Sequence, residues 1–572
     1  MRLFGEPGRK FARPERLLAV LCWGVVAAIF LLPISNPDLF WHLSAARFIV
    51  SFRKLPQTDW LSWTLEGKPW TDFEWLSQLI WYAVLKSSGM WGLVVLKASL
   101  FCGGAWGLWR TLRLYRIGSG GSAVALLAWA VALVPAQDLR PENFSIFLFS
   151  LEWFLLEKRR LRREAADPDR LNWKEISWIA LGAAAWTNLH PGYVYGFSLL
   201  GVYALLEIWR HRSWTLVRLL VLCAGATLLN PYGIGMHRVL LTHMRDLEPL
   251  HEYINEWMEA SIFNPWQWAF WGVLLASFLA LLGSFLQNHG APLEHMILLP
   301  VLALSASTYV RTLPYFVLVA IPVSAFHSAR LRWGRREGIK PVLLTACWGA
   351  LLGFFCLKLA PELGRRRAFI PQFVPEHIAQ YLQSERAVLG GRKIYNPWAW
   401  GGYLGYQLSP SYRVFQDGRY IFHPFLRVVE KATRNPENHK KFLDGYGIDV
   451  VLASRTNQFF TMPVYPKGGG KVKLLRPYYL DFLPQVEWAL IYWGPQGQIF
   501  VRRKRFPQRW VREREFRIFR PDDLRAAQLL VMEGYVPAVR LREEVERYIR
   551  LQPGLPEEKS LRLWLKKIAS KN

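Results

Sequence analysis

Long uncharged apolar runs recur along the first two thirds of the chain. The first of them, LLAVLCWGVVAAIFLLPI, covers residues 17–34. A helix of about 20 apolar residues is long enough to cross the hydrocarbon core of a bilayer. Ten further runs follow, at about 91–109, 120–136, 143–157, 176–190, 193–209, 214–232, 266–286, 293–309, 312–327 and 341–360. Because some of these runs are short, the pattern predicts ten or eleven membrane-spanning helices.

Between the first two runs, residues 36–90 alternate apolar and polar positions at helical spacing. Two segments, PDLFWHLSAARFIVSF and DFEWLSQLIWYAVLKSS, place their apolar side chains on one stripe each. Helices of this kind, with Trp and Tyr among their residues, are typical of the membrane interface. The loop 35–90 is therefore predicted to carry two interfacial helices joined by a turn-rich connection.

From about residue 365 the pattern changes to short segments. Runs rich in β-branched and aromatic residues predict strands, and they alternate with helical segments. The predicted strands are RKIYN, YRVFQDG and IDVVLAS, and EWALIYWGPQGQIFVRRK predicts a hairpin turning at 494–497. The highly charged end of the chain predicts helices near 521–533, 538–549 and 557–570. The predicted domains are a membrane domain (1–362), an α/β domain (363–505) and a charged helical tail (506–572).

The positive charge of the chain falls in alternate connections between the apolar runs. The formal net charge is +28, and the basic clusters lie at 2–16, 110–116, 157–174, 210–218 and 329–340. Basic residues concentrate in cytoplasmic loops. This places the N-terminus in the cytoplasm and the α/β domain on the outer side of the membrane. The same distribution argues against nucleic-acid binding. Basic residues of the tail could meet acidic membrane lipids, and the alternative is a solvated helical tail.

The other set of connections holds nearly all residues that could do chemistry. These are Asp38, His42, Asp72, Glu74, Arg140, Glu142, His190, Glu256 and Arg311. Ionisable groups at membrane depth are costly and often mark functional sites. The pattern therefore predicts a polar site at the outer boundary of the membrane. The alternative is that these loops are simply solvated.

Structural roles compete with functional ones at several of these positions. Asp38 and Asp72 each precede a predicted helix and could cap it. Glu74 suits the first turn of a helix, where acids are favourable. His42 lies four residues after Asp38, so the two share a helix face. Arg311 could extend along the membrane interface with its charge in water.

The loop 35–90 carries the pattern DLFWHL-x-x-A-x-x-I-x9-D-x-x-S-x-T-x-x-G-x-PW-x-x-x-EWL. A first span followed by a long outer loop with an acid at its start resembles the GT-C superfamily of membrane glycosyltransferases. Protein O-mannosyltransferases and oligosaccharyltransferase subunits belong to that superfamily. The resemblance is to little-characterised bacterial members and covers residues 36–110 and 390–455. The adjacent pair of acids of the superfamily is not present, since Leu39 and Phe40 follow Asp38.

The resemblance implies an enzyme of the bacterial plasma membrane. It would transfer a sugar from a polyprenyl-phosphate donor to a glycan, lipid or protein acceptor on the outer face. Asp38 is then the leading base or metal ligand, and Asp72 and Glu74 are further catalytic candidates. A base must take the proton of the acceptor hydroxyl, or a metal must activate it. Whether a divalent cation such as Mg²⁺ or Mn²⁺ takes part stays open.

Cations must stabilise the departing phosphate in such a reaction. Arg140 and Arg311 are candidates, because a guanidinium pairs with two phosphate oxygens at once. His190 and His42 could bind phosphate or carry a proton. Glu142 and Glu256 lie in the same set of connections and complete the predicted substrate-binding residues there.

The α/β region contains YNPWAWGGYLGYQLSPSYRVFQDGRY, residues 395–420. Trp400 stands beside a Gly pair, and Asp417 and Arg419 follow a predicted strand. These three residues are candidates for acceptor binding. The alternative is a tight packing corner between a helix and a strand, which paired glycines also permit.

Two other functions fit the same pattern. A polymerase or ligase of surface polysaccharide would also span the membrane many times, and it would depend on Arg and His more than on a carboxylate. A non-catalytic assembly protein would keep the architecture without the activity. A transporter is less consistent with the sequence, because few charges fall in the middle of the apolar runs.

Overall fold

The computed structural model describes residues 13–164, 171–245, 252–331, 341–364, 367–455, 458–467, 469–552, 554 and 556–569. Their contacts divide the chain into two compact units. Unit 1 comprises the described residues of Met1–Asn36, Ala45–Gln57 and Thr71–Ile370, and unit 2 comprises those of Pro37–Ser44, Thr58–Trp70 and Pro371–Asn572. Unit 2 therefore draws two short segments from the loop 35–90.

Each of the eleven apolar runs contains an α-helix. The described helices up to residue 364 are α1 (Arg13–Phe30), α2 (Leu39–Phe52), α3 (Trp75–Leu114), α4 (Ser119–Ala132), α5 (Glu142–Glu164), α6 (Trp173–Leu189), α7 (Tyr193–His211), α8 (Thr215–Ala226), α9 (Ile234–Arg245), α10 (Trp268–Leu286), α11 (Leu293–Thr308), α12 (Leu313–Ser328) and α13 (Pro341–Gly364). Within the described ranges, three stretches are long and apolar enough to cross a membrane: Trp75–Leu114, Pro265–Leu286 and Val310–Ser328. The number of crossings stays a prediction.

The helix α3 is interrupted at Gly89. This residue has φ 65° and ψ −165°, outside the helical range. Glycine adopts positive φ without the steric cost that a Cβ would bring. The interruption separates the predicted interfacial helix of residues 72–88 from the apolar run at 91–109. The two helices predicted in the loop 35–90 are thus confirmed as helices, as α2 and the first part of α3.

Close packing of α3 against α5 depends on small residues. A Cβ on Gly107 would lie 2.6 Å from Oγ of Ser150, and one on Gly103 would lie 2.6 Å from the ring of Phe147. The two glycines are four residues apart and share one helix face. Such pairs let helices approach closely in membrane proteins. The packing fixes α5, whose first residue is the candidate Glu142.

Unit 2 contains helices and two sheets. Its helices after residue 370 are α14 (Glu376–Ser384), α15 (Arg386–Leu389), α16 (Trp398–Leu408), α17 (His423–Thr433), α18 (Pro436–Gly445), α19 (Tyr479–Phe482), α20 (Gln508–Arg514), α21 (Leu524–Met532), α22 (Ala538–Leu551) and α23 (Glu558–Ala569). Its strands are β1 (Ile394–Tyr395), β2 (Val450–Ser454), β3 (Phe459–Val464), β4 (Val472–Pro477), β5 (Trp488–Trp493) and β6 (Gly497–Arg502).

The larger sheet has the order β1-β2-β6-β5, and β3 and β4 form a separate hairpin. The pair β1–β2 is parallel, and the pairs β2–β6 and β5–β6 are antiparallel. The predicted hairpin is confirmed, because the N–H of Gly494 donates to the carbonyl of Gly497 at 2.8 Å between β5 and β6. The strands predicted in RKIYN and IDVVLAS correspond to β1 and β2.

The strand predicted in YRVFQDG is wrong. Only Val414 forms a bridge there, an isolated one with Ser62. The side chain of Asn396 takes the place of a neighbouring strand: its Oδ1 accepts the N–H of Phe415 at 2.8 Å, and its Nδ2 donates to the carbonyl of Gln416 at 2.9 Å. A side-chain amide that pairs with both groups leaves this segment without a ladder of its own.

The charged end of the chain takes part in the core of unit 2. Phe519, Leu541 and Val545 are fully buried and belong to the same apolar cluster as Phe500 of β6. The three predicted helices of the tail are confirmed as α21, α22 and α23. Their apolar faces pack inward, as expected for amphipathic helices. Glu544 of α22 is buried as well, and its carboxylate accepts the backbone N–H groups of Arg517, Ile518 and Phe519.

Candidate functional site

Four charged side chains of unit 1 form what we call the Arg311 cluster: Arg140, Glu142, Glu256 and Arg311. Nη1 of Arg140 donates a hydrogen bond to Oε2 of Glu256. Nη1 of Arg311 lies 3.8 Å from the same oxygen, and Nε of Arg311 lies 3.7 Å from Oε2 of Glu142. The two guanidinium groups therefore share one carboxylate oxygen, and the four formal charges sum to zero.

Helix ends position Arg140 and Glu142. Arg140 lies two residues before α5, where Oδ1 of Asn143 accepts its backbone N–H at 2.9 Å. Glu142 is the first residue of α5. The unpaired N–H groups of a helix N-terminus carry partial positive charge and favour an acid there. The start of α5 therefore contributes one charge of each sign to the cluster.

Two short 3₁₀ turns position the other half of the cluster. Glu256 lies in the turn Asn255–Trp257, and Arg311 lies in the turn Val310–Thr312. The N–H of Val310 donates to the carbonyl of Met258 at 3.1 Å, which joins the two turns. The guanidinium of Arg311 lies over the Trp257 ring, 5.3 Å from its centroid. The backbone around Glu256 is thus held, while its side chain is 33% exposed.

The electrostatics of the cluster keep Glu256 ionised. Burial alone would raise the pKa of this carboxyl. The positive charge of Arg140, its hydrogen bond and the charge of Arg311 outweigh that effect and lower the pKa of Glu256 to about 2. Glu256 therefore carries a full negative charge at neutral pH.

We expect the ion pairs of Glu256 to stabilise the fold at neutral pH and to lose this effect in acid. With a lowered folded pKa, the stabilisation is complete above the unfolded pKa of about 4.3. It disappears as the pH falls through the folded pKa of about 2. The measurement compares the thermal midpoints of wild type and Glu256→Gln between about pH 6 and pH 3. A difference in midpoint that stays constant below the unfolded pKa would contradict the expectation.

His190 is held next to this cluster by hydrogen bonds on one ring nitrogen. Its Nδ1 accepts the backbone N–H of Gly192 at 2.9 Å and lies 2.8 Å from Oγ of Ser145. A nitrogen that accepts a backbone N–H bears no proton, so the neutral ring carries its proton on Nε2. This Nε2 lies 3.8 Å from Oε1 of Glu74, and Glu74 interacts electrostatically with Arg311. His190 thus directs an N–H donor toward the acidic side of the site.

Asp72 occupies a different environment in unit 1. It is buried, its Oδ1 accepts from Nε2 of Gln78 at 2.6 Å, and its backbone N–H donates to the hydroxyl of Tyr232 at 3.2 Å. These bonds connect the segment before α3 to α3 itself and to residue 232. This environment favours an anchoring role for Asp72.

In unit 2, a second group of charges, which we call the Arg419 cluster, consists of Asp59, Asp417 and Arg419. All three side chains are 1% exposed or less. Nη2 of Arg419 donates to Oδ1 of Asp59 at 2.6 Å and to Oδ2 of Asp417 at 2.8 Å. The guanidinium also lies over the Trp70 ring, 4.9 Å from its centroid. One buried cation therefore holds two buried carboxylates.

Burial and the neighbouring charges both shift the pKa values of the Arg419 cluster. Burial raises the pKa of Asp417, and the charge of Arg419 lowers it only in part, so that it stays above its usual value. Burial would lower the pKa of Arg419, but the charges of Asp417 and Asp59 outweigh it and raise that pKa. The guanidinium stays charged at every physiological pH.

Asp38 lies beside this region in unit 2, directly before α2. A Cβ on Gly418 would lie 2.0 Å from Oδ1 of Asp38 and 3.2 Å from Nε1 of Trp41. Only glycine at 418 therefore leaves room for the Asp38 carboxylate. His42 follows one helical turn later, is buried, and stacks on Trp41 with ring centroids 3.5 Å apart.

Trp400 and the glycine pair form a packing corner within unit 2. A Cβ on Gly401 would lie 1.8 Å from the backbone oxygen of Gln416. Trp400 is buried, and its ring would contact a Cβ on Gly497 at 2.6 Å. These contacts agree with the packing alternative for residues 400–402.

The candidates thus fall into separate environments. Unit 1 brings Arg140, Glu142, Glu256 and Arg311 together with His190 and Glu74, and unit 2 pairs Asp417 with Arg419. Sequence reasoning missed Asp59, although it stands in the D-x-x-S part of the quoted pattern, where Oγ of Ser62 donates to its Oδ2. It also missed Ser145 and Trp257. Among the described residues, no three His, Cys, Asp or Glu side chains could hold a metal ion together.

No protein-family model matches the chain, and no curated protein matches its sequence. Solved structures do match in fold, and two of them are as follows. One is ArnT from Cupriavidus metallidurans bound to undecaprenyl phosphate, with 14% identity, a TM-score of 0.44, and coverage of 85% of this chain and 97% of ArnT. The other is the arabinosyltransferase EmbB from Mycobacterium smegmatis, with 16% identity, a TM-score of 0.36, and coverage of 81% of this chain and 46% of EmbB.

Both likenesses are weak and concern the fold alone. Because both identities and both TM-scores are low, the assignment of substrates and site residues depends on the chain's own side chains.

Proposed function

We propose that this protein is a membrane glycosyltransferase that uses a polyprenyl-phosphate sugar as donor and a glycan, lipid or protein as acceptor. The observation that carries the proposal is the Arg311 cluster. Two arginines of unit 1 meet at one oxygen of Glu256, at the ends of apolar helices and next to an N–H donor of His190. The proposal includes a cytoplasmic N-terminus and places unit 2 and the cluster on the outer side of the membrane.

The cluster has the donors that a phosphate group requires. Guanidinium groups form paired, charge-assisted hydrogen bonds with phosphate oxygens. Arg140 and Arg311 can supply these bonds from two directions, and Nε2–H of His190 can supply a further one. In the proposed reaction the bond between the sugar's anomeric carbon and the phosphate oxygen breaks. The lipid phosphate leaves with the negative charge that both arginines stabilise.

A carboxylate completes the reaction by accepting a proton. The acceptor hydroxyl forms the new bond to the anomeric carbon, and its proton passes to the base. We assign this role to Asp38 on the family resemblance alone; in unit 1, which holds the Arg311 cluster, Glu74 lies beside His190 and is the alternative. Asp72 is a weaker candidate, because its carboxylate already accepts a hydrogen bond from Gln78. A divalent cation at Asp38 would supply a Lewis acid for the hydroxyl, and metal dependence stays part of the proposal to be tested.

The test uses the purified full-length protein in lipid nanodiscs. Undecaprenyl-phosphate sugars labelled in the sugar are incubated with a cell-envelope extract as acceptor, with and without EDTA. We expect Arg140→Met and Arg311→Met to reduce the rate of label transfer by about 10²–10³-fold, the usual effect of removing one donor to a developing negative charge. Arg218→Met, at an exposed position of α8, is the matched control.

The outcomes separate the candidate functions. Equal transfer in the Arg311, Arg140 and Arg218 variants would contradict the proposed phosphate site. Loss in the arginine variants together with full activity in Asp38→Asn and Glu74→Gln would point to a polysaccharide ligase or polymerase that needs no carboxylate base. Binding without transfer by the wild type would indicate an assembly protein.

A further inference from the structure

Glu256 occupies the position in the Arg311 cluster where a ligand oxygen would be expected. Its Oε2 accepts from Nη1 of Arg140 and lies 3.8 Å from Nη1 of Arg311. Both arginines are therefore already neutralised by an acid of the chain itself. A phosphate that entered with Glu256 still in place would meet four charges that sum to zero, and it would gain little Coulomb energy.

We propose that Glu256 is a placeholder for the phosphate of the ligand, and that an incoming phosphate displaces its carboxylate from Arg140 and Arg311. This inference rests on the proposed function, since it concerns the same phosphate site. The ligand group is a phosphate monoester or diester.

The geometry permits this exchange without a change of fold. The backbone next to Glu256 is held by two hydrogen bonds, from Val310 to Met258 at 3.1 Å and from Ala260 to Ser307 at 2.8 Å. Among the described residues, the ion pairs with Arg140 and Arg311 are what hold the side chain itself, so it can turn once they break. The side chains of Arg140, Arg311 and Glu256 are 27%, 29% and 33% exposed, so the cluster can be reached from the surface.

The relative strengths of the interactions favour the phosphate. Partly exposed carboxylate–arginine pairs contribute little, because water and salt screen them. A phosphate offers more acceptor oxygens than a carboxylate and can pair with both guanidinium groups at once. Glu142, which is more deeply buried at the start of α5, remains next to Arg311 and keeps that side chain in place.

The carboxylate of Glu256 also supplies a counter-charge for Arg140 and Arg311 when no phosphate is bound. Two guanidinium groups without a counter-charge would repel each other in a partly buried site. Glu256 and Glu142 together offset that repulsion while no ligand is bound. Replacement of Glu256 by the uncharged, equally sized Gln should leave the arginines in place, since Glu142 remains, and should remove the competition for them.

The experiment measures equilibrium binding of undecaprenyl phosphate to the full-length protein in nanodiscs made of neutral lipid. We expect Glu256→Gln to bind about two- to fivefold more tightly than wild type, the change that corresponds to losing a competing surface ion pair. The matched control is Glu259→Gln, which removes the same charge from an exposed position three residues away. Its affinity should equal that of wild type.

Three further ligands identify what is recognised. Undecaprenol, which has no phosphate, should bind equally to all three proteins. Inorganic phosphate and nanodiscs containing phosphatidylglycerol distinguish a free phosphate or a general lipid headgroup from the polyprenyl phosphate. The gain in affinity of Glu256→Gln over wild type should be largest for the ligand that the site recognises.

Two results would overturn the inference in different ways. If wild type binds undecaprenyl phosphate and Glu256→Gln binds it no more tightly than Glu259→Gln does, the placeholder role is wrong and the proposed function stands. If neither wild type nor Glu256→Gln binds any of the phosphate ligands, the phosphate site and the placeholder are both wrong.

Discussion

Replacement of Arg419 by Met is expected to destabilise unit 2 by about 3–5 kcal/mol, the usual cost of removing one partner from a buried ion pair. The guanidinium is 1% exposed and binds both Asp59 and Asp417. Without it, two carboxylates would face each other in an apolar interior among Trp60, Trp70 and Phe422. The measurement is the thermal unfolding of the full-length protein, together with hydrogen exchange of the segments 58–70 and 412–422.

A matched control and a partial rescue make this expectation specific. Arg434→Met removes an arginine from an exposed pair with Glu430, and it should change the thermal midpoint little. Adding Asp417→Asn to Arg419→Met should recover part of the loss, because it removes one of the two unpaired charges. If Arg419→Met and Arg434→Met shift the midpoint equally, the cluster does not hold unit 2 together.

The second large effect is expected at Gly418, which has no charge and no polar side chain. A Cβ at this position would lie 2.0 Å from Oδ1 of Asp38 and 2.8 Å from its Cγ. Gly418→Ala must therefore displace the Asp38 carboxylate. If Asp38 is the base, the rate of sugar transfer should fall about 10²–10⁴-fold, the range for loss of general base catalysis. The rate is measured with the labelled donors described above.

Further variants show whether displacement of the Asp38 carboxylate causes the lower rate of transfer. Asp38→Asn should lower the rate as much as Gly418→Ala does, and the double variant should be no worse than either one. Gly445→Ala is the control, because a Cβ there would have no atom within 4 Å. Normal turnover in Gly418→Ala with an intact fold would remove Asp38 from the mechanism.

Much of the helical architecture follows from the local sequence. The apolar runs predict helices, because the length and apolar character of a run depend on neighbouring residues alone. The interruption of α3 falls at Gly89, the glycine that follows the polar segment KSS. The members of the Arg311 cluster could be proposed one by one, since they share the same set of connections. Their pairing could not, because Arg140 and Glu256 are 116 residues apart.

The Arg419 cluster shows a different limit. From the sequence alone, Asp59 resembles any acidic residue of a loop. In the structure, the backbone N–H groups of Leu61 and Ser62 donate to its carboxylate. Its importance comes from Arg419, which is 360 residues away. The segment YRVFQDG has the composition of a strand, and the side chain of Asn396 prevents that outcome. In both cases the local structure depends on a partner that the neighbouring sequence does not show: a residue far along the chain, or a side chain that replaces a strand.

The composition of unit 2 from three separate stretches of chain has a consequence for biosynthesis. Asp59 leaves the ribosome 360 residues before Arg419 does, which corresponds to roughly 20–70 s at common rates of translation. During that interval the acid lacks the guanidinium of Arg419 and must stay hydrated, while the apolar segments that follow are being synthesised. A nascent chain arrested before residue 419 should therefore leave Thr58–Trp70 open to proteases, and completion of synthesis should close it.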